Sequence, residues 1–224
     1  QLPIGDLRTD AKENLITSIQ LAALKENGEP VIQEVGLYFE YKLYRGNRTT
    51  KINAEHFQAF ASLNYPLLVE SGVHLKVMKE NLLLRKQKQH LEVWKDFETN
   101  VAIIKMFPGI TASILNGIFN IPNLKGVVLE TYGSGNAPTD AWFVESLQSA
   151  INKGIHIVNV TQCSGGSVMM GKYEASEALK KMGVIDGKDL TTESAITKLM
   201  LLLKKNISHK LFKIKFEENI AGEI

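Results

Sequence analysis

Residues 126–138, GVVLETYGSGNAP, decide the fold class that we predict for this chain. The opening GVVL is apolar and β-branched, as in a buried strand, and the glycine-rich stretch after it is typical of a turn between a strand and a helix. Similar apolar runs begin at Val101 and Ile155, and each leads through a turn into an amphipathic segment. This alternation predicts an α/β fold in which a parallel sheet carries helices on both faces.

The second half of the chain repeats this pattern. Strands are expected at residues 101–107, 126–129 and 155–160, and helices at residues 114–119, 142–151, 173–182, 192–205 and from 208 onward. Two of its turns, GSGNAP at 133–138 and TQCSGGS at 161–167, fall at strand carboxyl ends, where polar ligands are commonly bound.

The first half predicts a helix at residues 11–27 and strands at 34–39 and around 73–77. The helix has Asp10 and Glu13 as a capping-box-like start, and Leu15, Ile16 and Ile19 at the spacing of an inward face. From residue 79 to 95 the composition becomes charged and irregular, with the basic run RKQKQH at 85–90. We therefore expect one domain at 1–78, a linker at 79–99 and a second domain at 100–224.

Residues 44–57, YRGNRTTKINAEHF, contain the strongest candidate for chemistry, Lys51. The stretch follows a predicted strand, and Asn53 is a plausible N-cap for a helix whose positive end would disfavour the ammonium form of Lys51. From residue types alone, an alternative remains open: a surface loop in which Arg45, Arg48 and Lys51 are solvated.

Composition excludes several protein classes. With 224 residues, 44% hydrophobic and 22% charged, the chain resembles an ordinary globular protein, and a net charge of +2 does not predict nucleic-acid binding. No apolar segment reaches transmembrane length. The single cysteine, Cys163, cannot form an internal disulfide, which favours a reducing cytoplasm.

Cofactor and metal motifs are absent from the sequence. The histidines are scattered without the paired spacing of a zinc site, and there is no Walker loop, no GxGxxG between a strand and a helix, and no GxSxG elbow. We expect no metal and no cofactor. Cys163 could be a nucleophile only with a histidine close by in the fold; His156 lies within a predicted strand, so we favour a buried or second-site cysteine.

Five segments together resemble bacterial type I, cytoplasmic L-asparaginases: PIGDLRTDAKENL at 3–15, LYRGNRTTK at 43–51, YGSGNAP at 132–138, NVTQC at 159–163 and MG at 170–171. The resemblance implies hydrolysis of L-asparagine to L-aspartate and ammonia by two threonines, one of them grouped with an aspartate and a lysine. Lys51 matches that lysine. The implied architecture is the end of a larger catalytic domain followed by a smaller, flavodoxin-like domain.

The first departure of the sequence from that family concerns the two threonines. The glycine-rich, GTGGTI-like segment that holds the first threonine and the DGTDT-like segment that holds the second are not found in residues 1–224, and we expect them upstream of Gln1. The chain thus resembles the carboxyl-terminal two-thirds of such an enzyme, and alone it should be inactive. Asn136 matches an asparagine that reaches the active site of a neighbouring subunit, which implies a homodimer or homotetramer.

A second, regulatory asparagine site is also implied by the resemblance. Thr50 and Cys163 match positions that line it in some type I enzymes. Where that site has an arginine, this chain has Glu130. The reversed charge should weaken or abolish binding of a ligand carboxylate there.

Two other functions stay open at this point. One is the related amidase subunit of an aminoacyl-tRNA amidotransferase, which shares the fold and the threonine chemistry but carries extra partner-binding sequence. The other is a non-catalytic small-molecule binding or assembly module that has kept the architecture.

Overall fold

A computed structural model describes residues 1–83, 93–171, 174–205 and 207–224. The chain divides into two compact units, Gln1–Glu92 and Val93–Ile224. The basic run predicted as linker at 85–90 lies outside the described residues.

The first unit is built on short antiparallel strands. The elements are α1 (Ala11–Ala22), β1 (Lys25–Glu26), β2 (Glu29–Pro30), β3 (Gly36–Phe39), β4 (Lys42–Arg45), β5 (Thr50–Lys51), β6 (Phe60–Ala61), β7 (Val69–Ser71) and β8 (Leu75–Val77). Strands β3, β4, β7 and β8 form one sheet in that order, while β1 pairs with β2 and β5 with β6. The core of this unit is formed by Leu21, Tyr38, Leu43, Leu68 and Val69.

Helix α1 differs from its prediction in length and in orientation. It ends at Ala22, and the residues predicted to continue it form β1 and the turn to β2, in which Asn27 and Gly28 have φ of 52° and 84°. Consecutive positive φ at Asn-Gly is the usual signature of a two-residue hairpin. Leu15, Ile16 and Ile19, which were expected to face inward, are 53%, 66% and 61% exposed.

The helix predicted from Asn53 is not formed. The Asn53 side chain does cap, since Oδ1 accepts hydrogen bonds of 2.8 Å from the N–H groups of both Glu55 and His56. The chain then bends back, and β6 pairs antiparallel with β5, with Lys51 opposite Phe60. Pairing between distant residues overrides the local helix signal, so no helix dipole acts on Lys51.

The second unit contains the predicted parallel α/β sheet. Its described elements are β9 (Val101–Lys105), α2 (Ala112–Phe119), β10 (Gly126–Thr131), α3 (Ala141–Asn152), β11 (His156–Thr161), α4 (Glu174–Met182), β12 (Ile185–Asp186), α5 (Thr192–Leu203) and α6 (His209–Glu217). The strands lie in the order β12-β11-β10-β9, and every pair is parallel. Among these elements, only the short edge strand β12 was not predicted.

Alternate residues of β10 explain why both faces carry helices. Val127 and Leu129 pack into a cluster with residues of α2, α3 and α4, whereas Val128 packs into a second cluster with residues of α5 and α6. Gly126 packs closely against α5, because an added Cβ would lie 2.9 Å from side-chain atoms of Leu199 and Leu203, which would have to shift. The prediction of helices on both faces is confirmed. None of the helices in the described part of the chain is long and apolar enough to cross a membrane.

Candidate active site

Lys51 lies in β5 with its side chain exposed. Its Nζ donates a hydrogen bond of 2.9 Å to Oε1 of Gln1, fifty residues earlier in the chain. The ammonium also lies 5.6 Å from the centroid of the Phe60 ring on the paired strand. The group is therefore held in one direction and remains open to solvent.

Gln1 is itself fixed by the loop that replaces the predicted helix. Its Nε2 donates to the carbonyl oxygens of His56 at 2.9 Å and Asn53 at 3.4 Å. Its backbone nitrogen donates to Asp10 Oδ2 at 2.9 Å. Sequence reasoning missed Gln1 as a partner of Lys51, since no local pattern connects residues so far apart in sequence.

The two arginines near Lys51 are buried, so the interpretation of a solvated loop was wrong for them. Arg45 and Arg48 are 4% and 3% exposed. Arg45 pairs with Glu34, and its guanidinium lies 4.1 Å from the centroid of the Tyr65 ring. Burial alone would lower the pKa of Arg45, but the hydrogen bond and the charge of Glu34 outweigh it and raise that pKa above its usual value.

The setting of this stretch also differs from the prediction. Residues 46–51 do not follow the strand predicted at 34–39. They follow β4, in a sheet whose strands run antiparallel. The position of Lys51 is therefore set by the turn after β4 and by β5–β6 pairing, not by the carboxyl end of a strand in a parallel sheet.

Asn136 lies in the turn after β10, with its side chain exposed. Its backbone N–H and carbonyl both bond to Tyr132, at 2.8 and 2.9 Å. Gly133 and Gly135 have φ of 50° and 107°, in the left-handed region that favours glycine. The turn is thus a closed loop that presents the Asn136 amide to solvent.

Glu130 and Cys163 lie at the carboxyl ends of neighbouring strands of the same sheet. Glu130 Oε1 accepts a hydrogen bond of 2.5 Å from the Thr192 hydroxyl, and Oε2 lies 3.9 Å from Lys105 Nζ.

Cys163 carries an exposed free thiol. Its backbone N–H donates a hydrogen bond of 3.0 Å to Thr161 Oγ1. Gln162, between them, donates to the Glu130 carbonyl oxygen at 2.9 Å.

The candidate residues are thus divided between the two units. Thr50, half-buried and opposite Ala61, and Lys51 belong to the first unit, and Glu130, Asn136 and Cys163 belong to the second. Within the ranges that the structure describes, no three His, Cys, Asp or Glu side chains are grouped closely enough to hold a metal ion.

Two family models cover most of the chain. Residues 1–83 match the model described as "Asparaginase, N-terminal", and residues 100–216 match the "Glutaminase/Asparaginase C-terminal domain". The chain belongs to the asparaginase family. The two matched segments lie one in each of the compact units described above.

Relatives of this asparaginase-family chain carry more than one activity in their names. L-asparaginase 1 of Escherichia coli (strain K12) is 37% identical over 224 residues, which are 100% of this chain and 64% of that protein. The 60 kDa lysophospholipase of Homo sapiens is 37% identical over 225 residues, 100% of this chain and 38% of that protein. The crystal structure of L-asparaginase I from Vibrio cholerae O1 biovar eltor str. N16961 has a TM-score of 0.89 at 35% identity, covering 100% of this chain and 65% of that one. The asparaginase-family chain thus spans less than two-thirds of the length of these relatives.

Proposed function

We propose that the intact protein hydrolyses L-asparagine to L-aspartate and ammonia, and that Lys51 belongs to its proton relay. The observation that carries the proposal is the placement of Lys51, the lysine of RTTK in an asparaginase-family chain. Its ammonium is exposed and directed by the Gln1 amide at 2.9 Å. An amide acceptor orients the group without neutralising it, which suits a residue that exchanges a proton with a neighbouring hydroxyl.

The chemistry explains why a lysine is needed. A threonine hydroxyl is a weak nucleophile at neutral pH, so its proton must pass to nearby groups as it attacks the amide carbon. In the proposed mechanism the threonines lie outside residues 1–224, and Lys51 takes part in the relay with a threonine and an aspartate. Backbone N–H groups would stabilise the oxyanion of the tetrahedral intermediate.

The proposal is tested by Lys51→Met in the intact protein, with ammonia release from L-asparagine as the measurement. We expect turnover to fall by about 100-fold or more, the usual contribution of general acid-base catalysis, with the melting temperature unchanged. Lys76→Met, at an exposed lysine of β8, is the matched control. Asparagine hydrolysis at a near-normal rate in Lys51→Met would remove this residue from the mechanism.

The substrate is tested in the same assay. L-asparagine should be hydrolysed faster than a lysophospholipid, which is the comparison raised by the name of the human relative. Lysophospholipid cleavage without ammonia release from L-asparagine would overturn the assignment.

We further propose that the enzyme is a cytoplasmic homodimer or homotetramer in which Asn136 contributes to a neighbouring active site. The exposed Asn136 amide and the free thiol of Cys163 are compatible with this assembly and compartment. We also propose that no asparagine activation occurs through Thr50 and Cys163, because Glu130 takes the place of a cationic partner for the ligand carboxylate.

A further inference from the structure

A buried ion pair lies beneath the turn that leads to Lys51. The side chains of Arg45 and Glu34 are only 5% and 3% exposed, and Arg45 Nε donates directly to the Glu34 carboxylate. Removing two charges from water costs several kcal/mol each unless they are paired and hydrogen-bonded, so each group strongly constrains the position of the other. The Tyr65 ring, stacked on the guanidinium, closes this cluster on one side.

The same cluster holds the last described segment of the first unit, residues 79–83. The N–H of Leu83 donates to Glu34 Oε1 at 2.6 Å. The carbonyl oxygen of Asn81 accepts two hydrogen bonds of 3.1 Å, one from Arg45 Nη2 and one from the Tyr65 hydroxyl. Glu34 is therefore bonded to both Arg45 and the segment 79–83.

The backbone between Arg45 and Lys51 is held by hydrogen bonds. Arg45 ends β4, and residues 46–48 form a single 3-10 turn. The buried Thr49 hydroxyl donates to the Arg45 carbonyl oxygen at 2.7 Å, which closes that turn. Thr50 and Lys51 then pair at once with Ala61 and Phe60. A shift of the Arg45 backbone must therefore move the strand that carries Lys51.

We propose that Glu34 is a positioning residue for Lys51, and that its carboxylate couples the segment 79–83 to the turn that sets the direction of the Lys51 side chain. The inference rests on the proposed role of Lys51 in the proton relay. Glu34 itself touches no substrate in this scheme; it acts through Arg45. Displacement of residues 81–83 is then transmitted to Lys51 through one carboxylate.

The coupling is tested with Glu34→Gln in the intact protein, which keeps the shape of the side chain and removes its charge. Two properties are measured: the kinetics of asparagine hydrolysis, and the rate at which Lys51 is acetylated by acetic anhydride, followed by peptide mass spectrometry with Lys76 as internal reference. We expect kcat to fall about 10- to 100-fold with KM within about twofold, because misplacement by about 1 Å of a group used in the chemical step can cost that much. The relative acetylation rate of Lys51 should change at least about threefold, since a local free-energy change of ~0.7 kcal/mol corresponds to that factor.

Two further variants separate positioning from general destabilisation. Tyr65→Phe keeps the ring and removes the hydroxyl that bonds to Asn81, and it should shift both properties in the same direction by a smaller factor. Glu26→Gln breaks the ion pair between Glu26 and Lys79, which also contacts the segment 79–83. The side chains of this pair are exposed, at 63% for Lys79 and 55% for Glu26. This control should leave both properties unchanged.

The outcomes separate the two proposals. Unaltered acetylation of Lys51 in folded Glu34→Gln would overturn the coupling, whatever the activity. If Glu34→Gln does not fold, the same measurement is made on Tyr65→Phe, and an unaltered acetylation rate of Lys51 in that variant would overturn the coupling. Normal hydrolysis in Lys51→Met would instead refute the proposed relay, while the acetylation rates would still report on the coupling.

Discussion

The Thr192 hydroxyl donates a hydrogen bond of 2.5 Å to the carboxylate of Glu130, the residue at which the sequence resemblance implies an arginine of a second asparagine site. Thr192 is the first residue of α5, so the carboxylate lies near a helix amino end, where negative charge is favoured. Lys105 Nζ, 3.9 Å away, adds a weak attraction. These contacts hold the Glu130 carboxylate in place, and its negative charge would repel a ligand carboxylate.

From this we predict hyperbolic asparagine kinetics. Initial rates measured against L-asparagine concentration should give a Hill coefficient of about 1, since coupling between sites requires that a second site bind the ligand. Cys163→Ala should leave the shape of the curve unchanged. A sigmoidal curve in the wild type that becomes hyperbolic in Cys163→Ala would show that the second site works despite Glu130.

The proposed contribution of Asn136 to a neighbouring active site predicts complementation between two defective variants. Asn136→Ala and Lys51→Met should each be weakly active alone. Mixed oligomers contain one site with both residues intact if Asn136 acts in the neighbouring subunit, so an equal mixture should recover about a quarter of wild-type activity. Native mass spectrometry confirms that mixed oligomers form. Activity no greater than the sum of the separate variants, with mixed oligomers present, would place Asn136 outside the neighbouring site.

The second unit could be predicted from the sequence because each of its signals is local. Apolar runs such as 126–129 are buried on both sides, and the glycines of 133–138 occupy the left-handed backbone conformations that their turn requires. The single addition, β12, has only two residues and gives no periodic signal.

The surroundings of Lys51 could not be predicted in the same way, because they depend on contacts between distant residues. Asn53 caps a turn whether or not a helix follows, and here the pairing of Lys51 with Phe60 decides the outcome. Likewise, the spacing of Leu15 and Ile19 shows that they share one face of α1, but it carries no information about what covers that face. Gln1, which accepts the hydrogen bond from Lys51, belongs to no sequence motif that would identify it as a partner.

A pair of stacked histidines predicts a loss of stability in mild acid. The rings of His156 and His209 lie 4.5 Å apart, and burial together with the charge of His209 lowers the pKa of His156 to about 4. The unfolded chain takes up this proton near pH 6.5, so between pH 6.5 and 4 the unfolded state binds more protons. The free energy of unfolding should therefore fall over that range, by about 1–2 kcal/mol once partial exposure of the ring is allowed for.

Urea unfolding of the wild type and of His156→Gln at pH 7 and pH 5 measures this effect. The variant should show a smaller loss between the two pH values, whereas His74→Gln, at an exposed histidine, should behave as the wild type. Equal losses in the wild type and in His156→Gln would show that another group titrates.

The buried ion pair of Lys198 and Glu223 predicts a large loss of stability when one partner is replaced by an uncharged side chain. The two side chains are 5% and 6% exposed, with Nζ 2.5 Å from the carboxylate, and Glu223 also accepts the N–H groups of Ile220 and Ala221. Lys198→Met removes one partner and leaves a buried carboxylate without its counter-charge. We expect a loss of about 3–5 kcal/mol in the free energy of unfolding, measured with urea.

The exposed pair of Lys215 and Glu218, with side chains 48% and 49% exposed, supplies the control. Lys215→Met should cost no more than about 0.5 kcal/mol, because water already screens that pair. Adding Glu223→Gln to Lys198→Met should recover part of the loss, since no unpaired charge then remains buried. A loss below about 1 kcal/mol in Lys198→Met alone would mean that Glu223 reaches water once its partner is gone, and that the C-terminal segment is held by its apolar contacts.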